Sequence, residues 1–132
     1  MSTHPYPNNK PFTLSYEERP QYLLARVSGS SASLATSREY WNEIARQAAR
    51  TGAKRLLVWE DFEGMISTQD TFTLVRELCQ LKDLISLKLV VVDEHLDQLD
   101  RNKLGEMIAN NNGLTCRVFA NFEEAEHWLL HG

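Results

Sequence analysis

An α/β fold built on a mostly parallel, mixed sheet of about five strands, with an N-terminal β-hairpin and four helices, is what this sequence predicts. Three observations carry that expectation. Strand-length segments rich in apolar residues recur at 56–59, 87–92 and 114–119; the first is a continuous apolar run and the second carries three consecutive valines, as in buried parallel strands. Segments with helical periodicity lie between and after them, and such alternation specifies helices layered on a parallel sheet. Before all of these come two short strand-like segments joined by a turn, which reads as an antiparallel hairpin. At 132 residues the chain fits a single domain, and at that size it needs no disulfide or metal to stabilise its core.

Residues 1–11 read as a flexible arm, because Pro5, Pro7 and Pro11 remove backbone donors and fix φ. The domain proper is then expected over residues 12–132. Residues 12–16 alternate apolar and polar, and residues 22–27 form the second hairpin strand, ended by Ser28-Gly29. Thr36 and Glu39 have capping-box spacing and predict a helix from there to about Arg50, with Trp41, Ile44, Ala45, Ala48 and Ala49 inward and Gly52 as its stop. The 56–59 run is a buried parallel strand, and residues 60–66 read as a loop. Ser67, with Asp70 three residues on, starts a second helix to about Leu81, with Phe72, Val75, Leu78 and Cys79 inward. Three consecutive valines, 90–92, make the 87–92 run a central strand. A third helix spans residues 97–110, with Leu99, Leu104, Met107 and Ile108 inward and Gly113 terminating it. After the last strand, Asn121 caps a fourth helix that turns Trp128 and Leu129 inward.

Composition narrows function more than it names it. Hydrophobic residues make up 42% and charged residues 24%, which is ordinary globular usage and not that of a disordered chain. A net charge of −4 gives no basic footprint for nucleic acid or anionic membrane. Cys79 and Cys116 stand apart inside apolar runs, with no CxxC pair. They are expected to be reduced, buried thiols, which together with the absence of an apolar leader points to the cytoplasm. No apolar stretch approaches the roughly 20 residues of a transmembrane helix. No cofactor is expected, because neither GxGxxG nor GxxxxGK[ST] occurs.

Ligands of open α/β sheets bind beyond the carboxyl ends of the strands, which selects residues 29–36, 60–68 and 93–97. The first segment is serine-rich but has a single glycine, so it reads as an ordinary capped loop. The second carries Glu60, Asp61 and Glu63, and the third Asp93, Glu94, His95 and Asp97. Oxygen ligands of this kind suit magnesium, with Glu60, Asp61 and Asp93 the weak candidates, while a solvated acidic rim is the plainer reading. His95 lacks any nucleophile motif to serve. Trp59, Phe62 and Met65 flank the second segment and are the candidate contacts for a partner or an apolar ligand. Ser67 and Thr68 sit at a helix start, as caps or as phosphorylation sites. Acidic neighbours would oppose an added phosphate.

The segments Arg55 to Gly64, Lys88 to Asp93 and Arg117 to Leu129 resemble the bacterial SpoIIAA-like family of STAS/SEC14-type domains over about residues 12–130. That resemblance implies a superhelical run of βα units with strands in roughly sequential order. It also implies a non-enzymatic regulatory module that binds a protein partner through residues 60–68 and the helix that follows. Antagonists of the wider fold switch partners through a serine at the start of the helix after the third strand, which falls here near Ser67 and Thr68. Their Asp-Ser-Ser/Thr-Gly pattern is replaced by Gly64-Met65-Ile66-Ser67-Thr68. An alternative expectation is a small apolar or lipid-like ligand held between the sheet end and the second helix. The last expectation is a metal-assisted enzyme on the acidic loops. The exposed edge of the first hairpin strand offers a route to a homodimer.

Overall fold

A computed structural model describes residues 10–132; most of the expected N-terminal arm, residues 1–9, lies outside the described residues. Five strands form one mixed sheet in the order of the chain. They are β1 (Thr13–Glu18), β2 (Leu23–Gly29), β3 (Arg55–Phe62), β4 (Lys88–Val92) and β5 (Thr115–Phe119). Strand β1 runs antiparallel to β2, and β2 to β5 are parallel. Between and after them come α1 (Leu34–Thr51), α2 (Thr68–Leu78), a one-turn α3 (Lys82–Ile85), α4 (Leu99–Asn111) and α5 (Phe122–His131). No described helix is long and apolar enough to cross a membrane.

Side-chain alternation along each parallel strand divides the core in two. Leu23, Ala25, Val27, Leu56, Val58, Leu89, Val91, Cys116 and Val118 face a large cluster with α1, α2, α3 and the end of α4. Leu24, Leu57, Val90 and Val92 face the other way, against Ala125 and Leu129 of α5. Crossovers of one hand between sequential neighbours put every connecting helix on the same side. Only α5, which connects nothing, covers the second face.

The structure departs from the sequence reading in element boundaries and in the facing of two helices. Helix α1 begins two residues early, because the Ser33 hydroxyl accepts from the Thr36 N–H at 3.0 Å; Thr36 is buried inside the first turn and Ala49 is exposed. Strand β3 continues through Phe62 where a loop was expected, because β2 supplies ladder partners as far as Ser28↔Asp61 and Gly29↔Phe62. Helix α2 ends at Leu78, so residues 79–81 of the expected helix form a turn, and a fifth helix, α3, follows at Lys82–Ile85 where none was expected, burying Leu84 completely. Phe72 and Met107, expected inward, are 42% and 54% exposed. Helix α4 meets α2 over Gly105, where a Cβ would lie 3.8 Å from a methyl group of each of Thr71 and Val75.

The caps at Ser67 and Asn121 are as the sequence reads. Ser67 Oγ accepts from the Asp70 N–H at 3.0 Å, and Asn121 Oδ1 from the Glu124 N–H at 2.9 Å. At the other end of α5, Lys88 Nζ donates to the carbonyls of Trp128 (2.8 Å) and Gly132 (3.0 Å), so a cation from β4 answers the negative end of the helix.

Candidate functional site

The carboxyl ends of β3 and β4 bring Glu60 and Asp93 side by side. Trp59 and Val92 are the last pair of the parallel register, so Glu60 on β3 and Asp93, one residue past the end of β4, are the next residues along, and Asp93 lies near enough to act on the Glu60 carboxyl. Both lie in phase with the inward residues Val58, Phe62, Leu89 and Val91. They therefore point to the side covered by α1, α2 and α4.

A cavity of about 150 Å³ opens there. Leu89, Val91 and Val118 of the sheet form its floor, and Thr71, Leu74, Val75 and Leu78 of α2 form one wall. Tyr40, Trp41 and Phe62 form an aromatic wall opposite. The Tyr40 and Phe62 rings stack 5.4 Å apart at 16°, and Phe12 meets Tyr40 edge-on at 5.8 Å. Gly64 and Met65 are the exposed members of the lining and mark the mouth.

The polar groups in the cavity are few and specifically held. Glu60 Oε2 accepts from the Tyr40 hydroxyl at 2.6 Å. Burial pushes the Glu60 carboxyl up to about 7; the Tyr40 hydrogen bond pulls the other way, the nearby Asp93 adds to the rise, and Trp41 again opposes it. The same burial, with the negative charge of Glu60, raises the Tyr40 hydroxyl well above its ordinary range. Asp93 is buried and accepts at both oxygens, from the His95 N–H at 3.0 Å and from Asn102 Nδ2 at 2.9 Å. Gln98, also buried, donates to the Phe62 carbonyl at 3.2 Å and joins the start of α4 to the end of β3. Arg101 donates to the Ile66 carbonyl and so pins the segment before α2. Every buried side-chain polar atom among the described residues has a partner.

The residues singled out from sequence are divided between the two faces. Phe62 and Met65 line the cavity, Phe62 buried and Met65 43% exposed. Trp59 lies on the opposite face, against the ring of Phe122 at 4.8 Å and under the Arg26 guanidinium at 4.4 Å. Ser67 and Thr68 are exposed at the start of α2, outside the cavity lining. Glu60 and Asp93 come together, whereas Asp61 takes the other face and accepts from His95 Nε2 at 2.8 Å. Among the described residues no group of three or more His, Cys, Asp or Glu side chains converges on a point where a metal ion could sit. Both cysteines are free thiols; Cys116 lines the cavity, and burial raises its thiol to about 12.

Tyr40, Gln98, Arg101 and Asn102 were not legible as site residues. For Tyr40 a signal was present: residues 40, 41, 44, 45 and 48 share one helical stripe, and a tyrosine on such a stripe brings a hydroxyl that needs a buried partner. The other three act through loop geometry that spacing does not encode. No family model matches this sequence, and no curated protein matches it.

Proposed function

We propose that this domain binds a small, largely apolar ligand in the cavity between the sheet and helices α1, α2 and α4. The observation that carries this reading is the cavity itself, about 150 Å³ lined by aliphatic and aromatic side chains with a few fixed polar groups. An apolar cavity of about that volume accommodates benzene, so the ligand has the size of a single ring or a short branched chain. Its position, at the carboxyl ends of parallel strands, is where open α/β sheets place their ligands. Toluene added to isotope-labelled protein is expected to shift the methyl resonances of Leu89, Val91 and Val118 while leaving those of Leu24 and Leu129 on the opposite face in place. Unchanged spectra at toluene saturation would remove the reading.

A second reading is a SpoIIAA-like regulatory module that meets a protein partner through residues 60–68 and α2. The sequential strand order and the exposure of Ser67 and Thr68 at the start of α2 support it. Intact-mass and fragment analysis of the protein from its native cells should then find phosphate on Ser67 or Thr68. A chain unmodified at both positions under all growth conditions counts against it.

A further inference from the structure

We propose that two copies of this chain pair through their β1 edges, antiparallel about a two-fold axis at Ser15, so that two sheets join into one. The two edges of the sheet differ in how their main chain is answered. At the β5 edge the Asp93 N–H donates to the Phe119 carbonyl, so Phe119, Arg117 and Thr115 turn their main-chain groups to β4, and Cys116 and Val118 turn theirs outward. Side chains of α4 answer all of these. The Val118 N–H donates to Glu106 at 2.7 Å, and its carbonyl accepts from Lys103 at 3.1 Å. Asn110 donates to the Cys116 carbonyl at 2.7 Å and accepts from the Cys116 N–H at 3.4 Å. That edge is closed to a further strand. At the β1 edge the Arg19 N–H donates to the Tyr22 carbonyl at 2.9 Å, and the pattern repeats every second residue, so Glu17, Ser15 and Thr13 turn their main-chain groups to β2. Leu14, Tyr16 and Glu18 turn theirs outward, where among the described residues they have no main-chain or side-chain partner. An edge of this kind is a template for another strand.

Charge assigns that strand to a second copy. Glu39, Glu43, Arg46 and Arg50 share one stripe of α1. The stripe follows β1 in the same direction: Lys10, before the strand, pairs with Glu39 and Glu43, and Tyr16 shares a groove with Glu43, Arg46 and Arg50. It is acidic where it starts and basic where it ends. Lys10 leaves the acidic half with one carboxylate in excess, and among the described residues Arg46 and Arg50 form no ion pair. A two-fold axis across β1 lays the acidic half of each copy opposite the basic half of the other, which is the self-complementarity an isologous interface requires. Pairing Leu14 with Tyr16 of the second copy sets the register. Both residues offer outward main-chain groups, and their side chains meet on the α1 side as an aromatic–aliphatic cross-strand pair. Glu17 then stands across from Thr13, so the carboxylates at the hairpin end do not face each other. No β1 residue and none of these α1 charges lines the cavity, so the seam and the ligand site stand or fall separately.

Sedimentation equilibrium on the whole chain is expected to find a concentration-dependent dimer that weakens as salt rises, since salt screens exposed charges. Ser15 is exposed on the face away from α1, and in this pairing it stands opposite its own copy with the Cα atoms about 4.5 Å apart. Ser15→Lys sets two ammonium groups against each other there and should loosen the dimer by about fivefold or more. Ser15→Cys should cross-link two chains under a mild oxidant, the separation being within disulfide reach, while the wild type, with Cys116 buried and Cys79 half-buried, should not. Arg46→Glu should weaken the dimer and flatten its salt dependence. Hydrogen exchange should find the Leu14 and Tyr16 amides protected only at concentrations where the dimer forms. A chain that stays monomeric at every soluble concentration overturns the proposal. So does a dimer indifferent to Ser15→Lys and Arg46→Glu and not cross-linked by Ser15→Cys, which would use another surface. Protection of the Leu14 and Tyr16 amides in the monomer overturns it too, because residues 1–9 of the same chain would then be what covers the edge.

Discussion

Glu60 stands on β3 between Val58 and Phe62, where its inward neighbours along the strand are apolar, and its carboxyl titrates at about 7 instead of 4.5 because burial disfavours the charge. Between those two values the folded chain keeps a proton that the unfolded chain has released, so this residue's contribution makes stability fall as pH rises from 4.5 to about 7 and level off above. The full effect is about 3 kcal/mol at roughly 1.4 kcal/mol per pKa unit. Glu60→Gln keeps an acceptor for Tyr40 and carries no charge. Urea unfolding should find it close to the wild type at pH 4.5 and more stable at pH 8, and parallel profiles for the two proteins would contradict the assignment. His95 shows the opposite linkage on the other face. Its hydrogen bond to Asp61 raises the imidazole above 6.5, with burial opposing and Asp93 and the charge of Asp61 assisting. The stability this adds is complete below 6.5 and is lost as pH rises through the folded value. With both side chains open to solvent, screening keeps the effect small, so the readout is the imidazole itself. Its NMR titration should sit above 6.5 in the wild type and move down in Asp61→Asn, and an unmoved titration would show that Asp61 is not the cause. That Asp61 and not Asp93 is the side-chain partner of His95 could not be read from sequence, because Glu94 is adjacent, Asp93 and Asp97 lie two residues away, and the actual partner lies thirty-four away.

Helix caps were legible where a single residue settles the matter, as at Ser67 and Asn121. The cap of α1 was misread: Ser33 and not Thr36 takes that place, and nothing in the spacing distinguishes a cap from a buried threonine one turn on. The facing of α2 and α4 was misread for a reason that lies in their contact. Periodicity locates an apolar stripe, whereas the part of it that is covered is decided by where two helices meet, and here α4 meets α2 over Gly105, Thr71 and Val75. A Cβ at Gly105 would find ordinary van der Waals contact with Thr71 and Val75 at 3.8 Å, and alanine is favoured over glycine inside a helix by about 1 kcal/mol. Gly105→Ala is therefore expected to raise the urea midpoint, by about that free energy at an unchanged slope. Gly29, at the end of β2, behaves in the contrary way. A Cβ there would lie 2.6 Å from the Phe62 ring and 2.7 Å from the Pro11 carbonyl. Gly29→Ala must displace the ring that walls the cavity, at a cost of about 1–3 kcal/mol as in other overpacked sites. A stabilised Gly29→Ala together with a destabilised Gly105→Ala would mean that neither helix contact nor strand end is arranged as described.

The order of elements followed from alternating apolar runs and helical stripes, but the number of helices on each face did not, because that depends on strand order and crossover hand rather than on any local pattern. With strands in sequence, the connecting helices fall on one side and α5 alone shields the second face, through Ala125 and Leu129 against Leu57, Val90 and Val92. This asymmetry predicts a hierarchy of opening. The α1–α4 side is joined to the sheet by chain at both ends of every helix, and Arg38 ties α1 to α2 by paired bonds to Glu77 at 2.9 and 2.7 Å. Helix α5 is joined to the sheet by chain at one end only, through Ala120 and Asn121 after β5, and is held at the other by Lys88. It can therefore leave without disturbing a single strand pairing. Native-state hydrogen exchange should find the amides of Val58 and Val90 at the centre of the sheet exchanging only with global unfolding, and those of α5 exchanging at a lower free energy as one unit. Leu129 is completely buried, and Leu129→Ala should cost about 2–5 kcal/mol. Opening of α5 should become easier by most of that amount, because the leucine's contacts are those the opening breaks. Were the α5 amides to exchange at the same free energy as Val90, in wild type and variant alike, the two faces would be one cooperative unit, and the bare second face left by departure of α5 would be too costly to form.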